Sequence, residues 1–240
     1  MHKKKRNMLK IMTMSVIFLT LAVLTFFAYI YVKESPGGLA DRMMSKALGM
    51  QDSILRIPNA STPEEALEQF RGPSEATQIV HQEPVDGGMI LFAQRTNSET
   101  SSNLQLEYVR KNWFGWKWVW GGGYGTDEID PSEFALYYMN MPKLEEIKTP
   151  FPMVFGTIEH PAIQRVIAET EQNGSINAAE AKLIKVDIEE YIWFAMLPVS
   201  EDAPYTIKVY DEEGKQVGRK RVEMASDTGS LTLGKRPASM

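Results

Sequence analysis

The sequence predicts an α+β protein with an N-terminal transmembrane helix, a helix-plus-antiparallel-meander module and then a small β-rich, sandwich-like module. Three observations carry this expectation. Ile11 to Val32 is a run of 22 residues without one charge. Thr62-Pro63-Glu64-Glu65 is a helix-start signal followed by four short strand-like runs. Beyond Met153, six more such runs recur at regular spacing.

The apolar run comes first in the chain. At about 1.5 Å of rise per residue it covers roughly 33 Å, enough for a hydrocarbon core of about 30 Å. Lys3, Lys4, Lys5, Arg6 and Lys10 precede it, and flanking cations hold that end in the cytoplasm. A cleaved signal peptide has a shorter apolar core, about 7–15 residues, and a small-x-small cleavage site. Tyr29-Ile30-Tyr31-Val32-Lys33 offers no such site, and Gly38-Leu39-Ala40 lies well past the run. Without cysteine there is no lipobox. Residues 11–32 are therefore expected to be an uncleaved signal anchor, residues 1–10 a cytoplasmic basic tail, and the chain after Lys33 extracytoplasmic. The predicted location is the cell membrane, single-pass.

Charge and composition narrow the function classes. The chain carries −5 overall, and residues 1–10 hold five cations and no carboxylate, so the remainder carries −10. An acidic ectodomain argues against nucleic acid, which selects a basic face. The absence of cysteine removes any disulfide framework, so the core must hold without staples.

The remaining elements follow in order. Ser35-Pro36-Gly37-Gly38 breaks the anchor helix, and residues 33–57 are expected to be a stalk. Within it, Leu39 to Leu48 reads as a short amphipathic helix with Leu39, Met43, Met44 and Leu48 near one stripe and Gly49 in a helix-ending position. The α+β module is expected over 58–140. Thr62 is its N-cap, Pro63 the first helical residue and Glu65 the third; Ala66, Leu67 and Phe70 form the apolar face, and Gly72-Pro73 ends the helix. Strands are predicted at 77–85, 89–96, 104–112 and 116–120, with Gly87-Gly88 and the polar run 97–103 as links. Asp130-Pro131-Ser132-Glu133 repeats the cap signal and predicts a second helix to about Met139, stopped by Pro142. Residues 141–150 read as a linker. The β-rich module is expected over 151–224, with strands at 153–158, 164–170, 181–186, 191–198, 205–211 and 216–223, and a hairpin turn at Glu212-Glu213-Gly214-Lys215. Residues 225–240 are small and polar and read as a disordered tail.

The candidate binding residues are Trp113, Trp116, Trp118, Trp120 and Tyr124. On a regular strand Trp116, Trp118 and Trp120 point the same way. Three rings in a row pack beneath the Thr62–Phe70 helix, form a platform for sugar rings or make a partner interface; core packing is the expected fate. Gly121-Gly122-Gly123 reads as a wide turn at a strand end, because no phosphate-binding spacing surrounds it. The carboxylates Asp127, Glu128, Asp130 and Glu133 lack the spacing of a calcium loop, so no metal site is expected. His81 and His160 stand without the motifs of the common nucleophilic or zinc arrangements, so no catalytic residue and no cofactor is assigned.

Lys3 to Arg6, the apolar span, the phrase Ser61-Thr62-Pro63-Glu64-Glu65-Ala66-Leu67 and the hairpin phrase Val209-Tyr210-Asp211-Glu212-Glu213-Gly214-Lys215 resemble those of uncharacterised signal-anchored extracytoplasmic proteins of Bacillus-type Gram-positive bacteria. The two phrases cover 14 of the 240 residues. The resemblance implies a surface location and carries over no functional residues. The expectation is a membrane-anchored binding, sensing or regulatory protein of the cell envelope, non-catalytic, with an envelope protein or polysaccharide as partner. The alternative is a glycan-binding or glycan-processing ectodomain using the Trp116/Trp118/Trp120 stripe.

Overall fold

A computed structural model describes residues 2–50, 52–73, 77–95, 104–124, 134–172, 174–187, 190–198, 204–224 and 227–233. The fold is α+β, a long apolar N-terminal helix followed by antiparallel sheets. The chain divides into two units, Met1–Asn59 and Ala60–Met240.

The first unit is built on α1 (His2–Glu34), a helix long and apolar enough to cross a membrane. Its apolar side chains from Ile11 to Phe27 are exposed along their length. The hydroxyls of Ser15, Thr20 and Thr25 donate to the carbonyls of Ile11, Val16 and Leu21 at 3.0, 2.9 and 2.8 Å. That leaves none of these three hydroxyls without a partner. Gly37, at φ +78°, turns the chain out of α1. Next, α2 (Leu39–Ala47) ends at Gly49, at φ +72°, whose N–H donates to the Lys46 carbonyl.

The stalk is a tied loop. Asp41, buried on α2, accepts from the backbone N–H of Gly37 at 2.7 Å and of Ile57 at 3.0 Å. Ser45 accepts from the Leu55 N–H at 2.9 Å and donates to the Asp41 carbonyl. The Asn59 amide donates to the Glu34 carbonyl at 3.0 Å, so the segment returns to the end of α1. The expected apolar stripe is split: Met44 is buried, whereas Leu39 and Met43 are exposed.

The second unit opens with α3 (Pro63–Arg71). Thr62 accepts from the Glu65 N–H at 3.1 Å, and the Glu65 carboxylate accepts from the Ser61 N–H at 2.7 Å, a reciprocal cap. The strands β1 (Thr77–Val85), β2 (Gly88–Arg95), β3 (Leu104–Asn112) and β4 (Gly115–Tyr124) form an antiparallel meander in sheet order 1-2-3-4. Ala66 and Leu67 of α3 are buried, and Phe70 stacks on Trp118 of β4.

Two further sheets follow. One has the order β13 (Thr228–Thr232), β5 (Phe134–Met141), β6 (Met153–Ile158), β10 (Tyr191–Met196), β9 (Lys182–Lys185). The other has the order β12 (Gln216–Val222), β11 (Tyr205–Tyr210), β7 (Arg165–Gln172), β8 (Ser175–Glu180). One buried cluster draws on both, with Val154, Trp193 and Ala195 from the first and Val166, Ala168, Ile207 and Val209 from the second. On the opposite side of the β5-containing sheet, Phe155 and Phe194 meet Phe92 of the meander, with ring centroids 6.2 and 5.1 Å apart. Every residue of β6 is buried because packing covers both of its faces.

Four expectations are corrected. Phe134–Met141 is a strand rather than the end of a helix, and Asp130 and its cap lie outside the described residues. Ala135 to Tyr138 are buried without a gap, a run that periodicity alone cannot assign, and paired tyrosines suit a strand. The 141–150 segment joins β5 to β6, which pair with each other from Leu136↔Ile158 to Met141↔Met153, so it is a loop within one sheet. Thr228–Thr232, expected in the disordered tail, pairs with β5 and buries Leu231. Ser175–Glu180 is a strand the periodicity hid, because all but one of its side chains are exposed.

Candidate functional site: the aromatic hairpin and the cleft beside α3

The β3–β4 hairpin carries the predicted aromatic residues, but it does not bring them together. Tyr108 pairs with Trp120 and Val109 with Trp118, so Val119 is an extra residue, a β-bulge. One added residue inverts the alternation of side chains. Trp116 and Trp118 therefore face α3, whereas Trp120 lies on the opposite face with Gly122 and Tyr124. The expected three-ring stripe is corrected to a two-ring one for this reason.

Each ring has its own surroundings. Trp118 is 4% exposed and stacks on Phe70, with centroids 3.5 Å apart and planes 8° from parallel. Its indole N–H donates to Glu107 Oε2 at 2.7 Å. The other oxygen of that fully buried carboxylate accepts from Arg71 Nε at 3.0 Å and Nη2 at 2.8 Å. The Arg71 guanidinium lies 5.5 Å from the Trp118 ring centre and 5.4 Å from that of Phe70. Trp116 is half-buried and exchanges two 2.8 Å backbone hydrogen bonds with Ala60. Trp113 and Phe114 occupy the hairpin tip, 71% and 45% exposed. Trp120 is half-buried, and its indole N–H is buried without a hydrogen-bond partner. Tyr124 stacks on Tyr137 at 5.6 Å and donates to the Thr157 hydroxyl at 3.3 Å; burial pushes the Tyr124 phenol pKa up.

The glycine run is inside β4, not a wide turn. Gly121 pairs with Glu107, and a Cβ there would collide with the Glu107 carboxylate; at Gly122 it would press on Met139 and Met141. The run is glycine because packing on both faces leaves no room for a side chain.

A cleft of about 270 Å³ opens between α3 and the meander, lined by Glu64, Leu67, Glu68, Arg71, Gly72, Thr77, Ile79 and Gln105. Leu67 and Ile79 supply an apolar lining, and the acids, Arg71 and Gln105 supply polar groups. Burial disfavours the charged Glu64 carboxylate, but hydrogen bonds from its own backbone N–H, Thr62 and Gln82 outweigh that and hold its pKa below the usual range. Sequence reasoning missed this cleft because Gln105 and Thr77 meet α3 only in the folded sheet.

The other candidates are placed as follows. His81 sits 3.1 Å from Glu83, whose carboxylate also accepts from Lys182 at 2.6 Å. His160 closes a turn, its Nδ1 accepting from the Ala162 N–H. Asp127, Glu128, Asp130 and Glu133 lie outside the described residues, among which no cluster of three or more His, Asp or Glu suits a metal. No family model matches the sequence, and neither a curated protein nor a solved structure matches it.

Proposed function

We propose that the chain is a membrane-anchored extracytoplasmic binding, sensing or regulatory protein of a bacterial cell envelope, non-catalytic, with its N-terminus in the cytoplasm. It is of the signal-anchored kind found in Bacillus-type Gram-positive bacteria. The observation that carries this proposal is the cleft beside α3, on a β-rich unit joined to a helix long enough to cross a membrane. A hollow of this size, with Leu67 and Ile79 in its lining and Glu64, Glu68, Arg71 and Gln105 around them, suits one or two side chains of a protein partner. The charged groups nearest the buried indole are taken up by structure: Glu107 holds Arg71 and Trp118 in place. The glycan alternative needs three rings on one surface. The bulge at Val119 turns Trp120 away, and Phe70 covers Trp118, which counts against it.

A photo-crosslinking residue at Thr77 or Gln105, introduced in intact cells, tests the proposal. A discrete crosslinked product is expected from both positions and none from Ile176, an exposed position on β8. Ile79→Arg, which fills the cleft, should abolish the product. Equal products from all three positions, or none from the cleft, would refute it.

A further inference from the structure

We propose that the β3–β4 hairpin tip, Trp113 and Phe114, docks in the headgroup interface of the bilayer that α1 spans and so fixes the β-rich unit against the membrane. This rests on the membrane-anchor proposal. Among the described residues of the second unit, Trp113 and Phe114 are the only adjacent pair of exposed large apolar side chains. The tip is held in shape. The Phe114 N–H donates to Asn112 Oδ1 at 2.7 Å, and Gly115, at φ +124°, lies directly against the Ala60 carbonyl.

Chain connectivity supplies the occupant. Within the first unit, Asn59 is hydrogen-bonded to the Glu34 carbonyl at the end of α1. Exposed Tyr29 and Tyr31 mark that end as an aromatic belt, the usual register of a membrane surface. Within the second unit, the first residue, Ala60, pairs with Trp116. One peptide bond joins Asn59 to Ala60. Trp113 is three residues from Trp116, at most about 11 Å along the chain. The bilayer surface is thus within reach of the tip by covalent attachment alone.

The chemistry of the tip fits that surface. Tryptophan places an apolar ring body and a polar N–H at headgroup depth. Lys111 is exposed, its Nζ 5.4 Å from the Trp116 ring centre, and its ammonium suits anionic headgroups. Asp86, in the adjacent β1–β2 turn, is paired with Lys148 at 2.8 Å.

The anchor has no tryptophan; all five lie in the second unit. Tryptophan emission of the intact chain, reconstituted in phosphatidylethanolamine–phosphatidylglycerol vesicles with brominated acyl chains, therefore reports on that unit alone. The vesicles should float with the protein, and emission should be quenched relative to unbrominated vesicles. Trp113→Phe, which removes the reporter, should abolish the quenching, and Phe114→Ser should weaken it. Flotation without quenching, or quenching that survives Trp113→Phe, would overturn the docking while leaving the anchor intact. Failure to float would overturn the anchor and the docking with it.

Discussion

Replacing Trp118 by alanine is the sharpest perturbation of the second unit. The side chain is 4% exposed, stacked on Phe70 and bonded to a carboxylate that no solvent reaches. Lost transfer energy and the residual cavity cost about 3–5 kcal/mol for a buried tryptophan. Loss of the indole N–H from charged Glu107 costs about 1.5–3 kcal/mol by itself. The two overlap, because Arg71 still pairs with Glu107 and the site relaxes in part, so Trp118→Ala should destabilise by about 5 kcal/mol. That is comparable with the whole stability of many domains, about 5–15 kcal/mol. Trp118→Phe keeps most of the stack and should cost only the hydrogen-bond share, about 1.5–3 kcal/mol. Urea unfolding of a soluble chain of residues 52–240, followed by far-ultraviolet circular dichroism, measures both. A Trp118→Ala midpoint shift worth less than about 0.5 kcal/mol, the range of an ordinary surface change, would refute the packing of α3 on β4.

Other consequences follow from particular contacts. A soluble chain cut after residue 224 should be less stable than one reaching 240 by at least about 1.5–3 kcal/mol, the worth of burying Leu231, and a paired urea titration checks this. Gly121→Ala places a methyl group against the Glu107 carboxylate and should cost about 1–3 kcal/mol, while the same change at Gly214, a turn glycine with open space around it, should report only the strain of its positive φ. Burial, then the nearby Asp227, pushes the Tyr138 phenol from 10.0 up to about 12, so its contribution to stability is complete below pH 10 and fades as pH rises towards 12. Tyr138→Phe should flatten that alkaline loss in a pH series of melts. The Glu83 carboxylate is disfavoured by burial, but hydrogen bonds from Lys182 and His81 outweigh this and hold its pKa below the ordinary value. Its stabilisation is present above the unfolded pKa and is lost as pH falls through the folded one; Lys182→Met should shrink this acid-side loss in the same series.

How much of this was legible in the sequence depended on how local the cause was. The Thr62 cap, the Gly49 helix end and the β1–β2 turn at Gly87 are each decided within a few residues, and they stand where the sequence puts them. β5 reads as a helix in the sequence because Ala135 to Tyr138 are buried on both faces of the strand, leaving an apolar run with no period of its own. β13 has no signal in the sequence because a short strand with one buried leucine is visible only once β5 is there to pair with it. At the candidate site the tryptophans were found, but a bulge of one residue at Val119 has no sequence signal, and it decides which ring faces which way. Glu107 and Arg71, 36 positions apart, carry no motif linking them; only the fold brings them to one indole.

Sidedness tests the central claim most directly. The chain has no cysteine, so single cysteines placed at His2 and Ile176 report the two sides of the anchor without background. Protoplasts treated with a membrane-impermeant maleimide should label Ile176→Cys in intact cells and His2→Cys only after lysis, both on a protein that keeps its anchor. Labelling of His2→Cys in intact cells, protection of Ile176→Cys, or a mature chain lacking residues 11–32 would contradict an anchored ectodomain held outside the membrane.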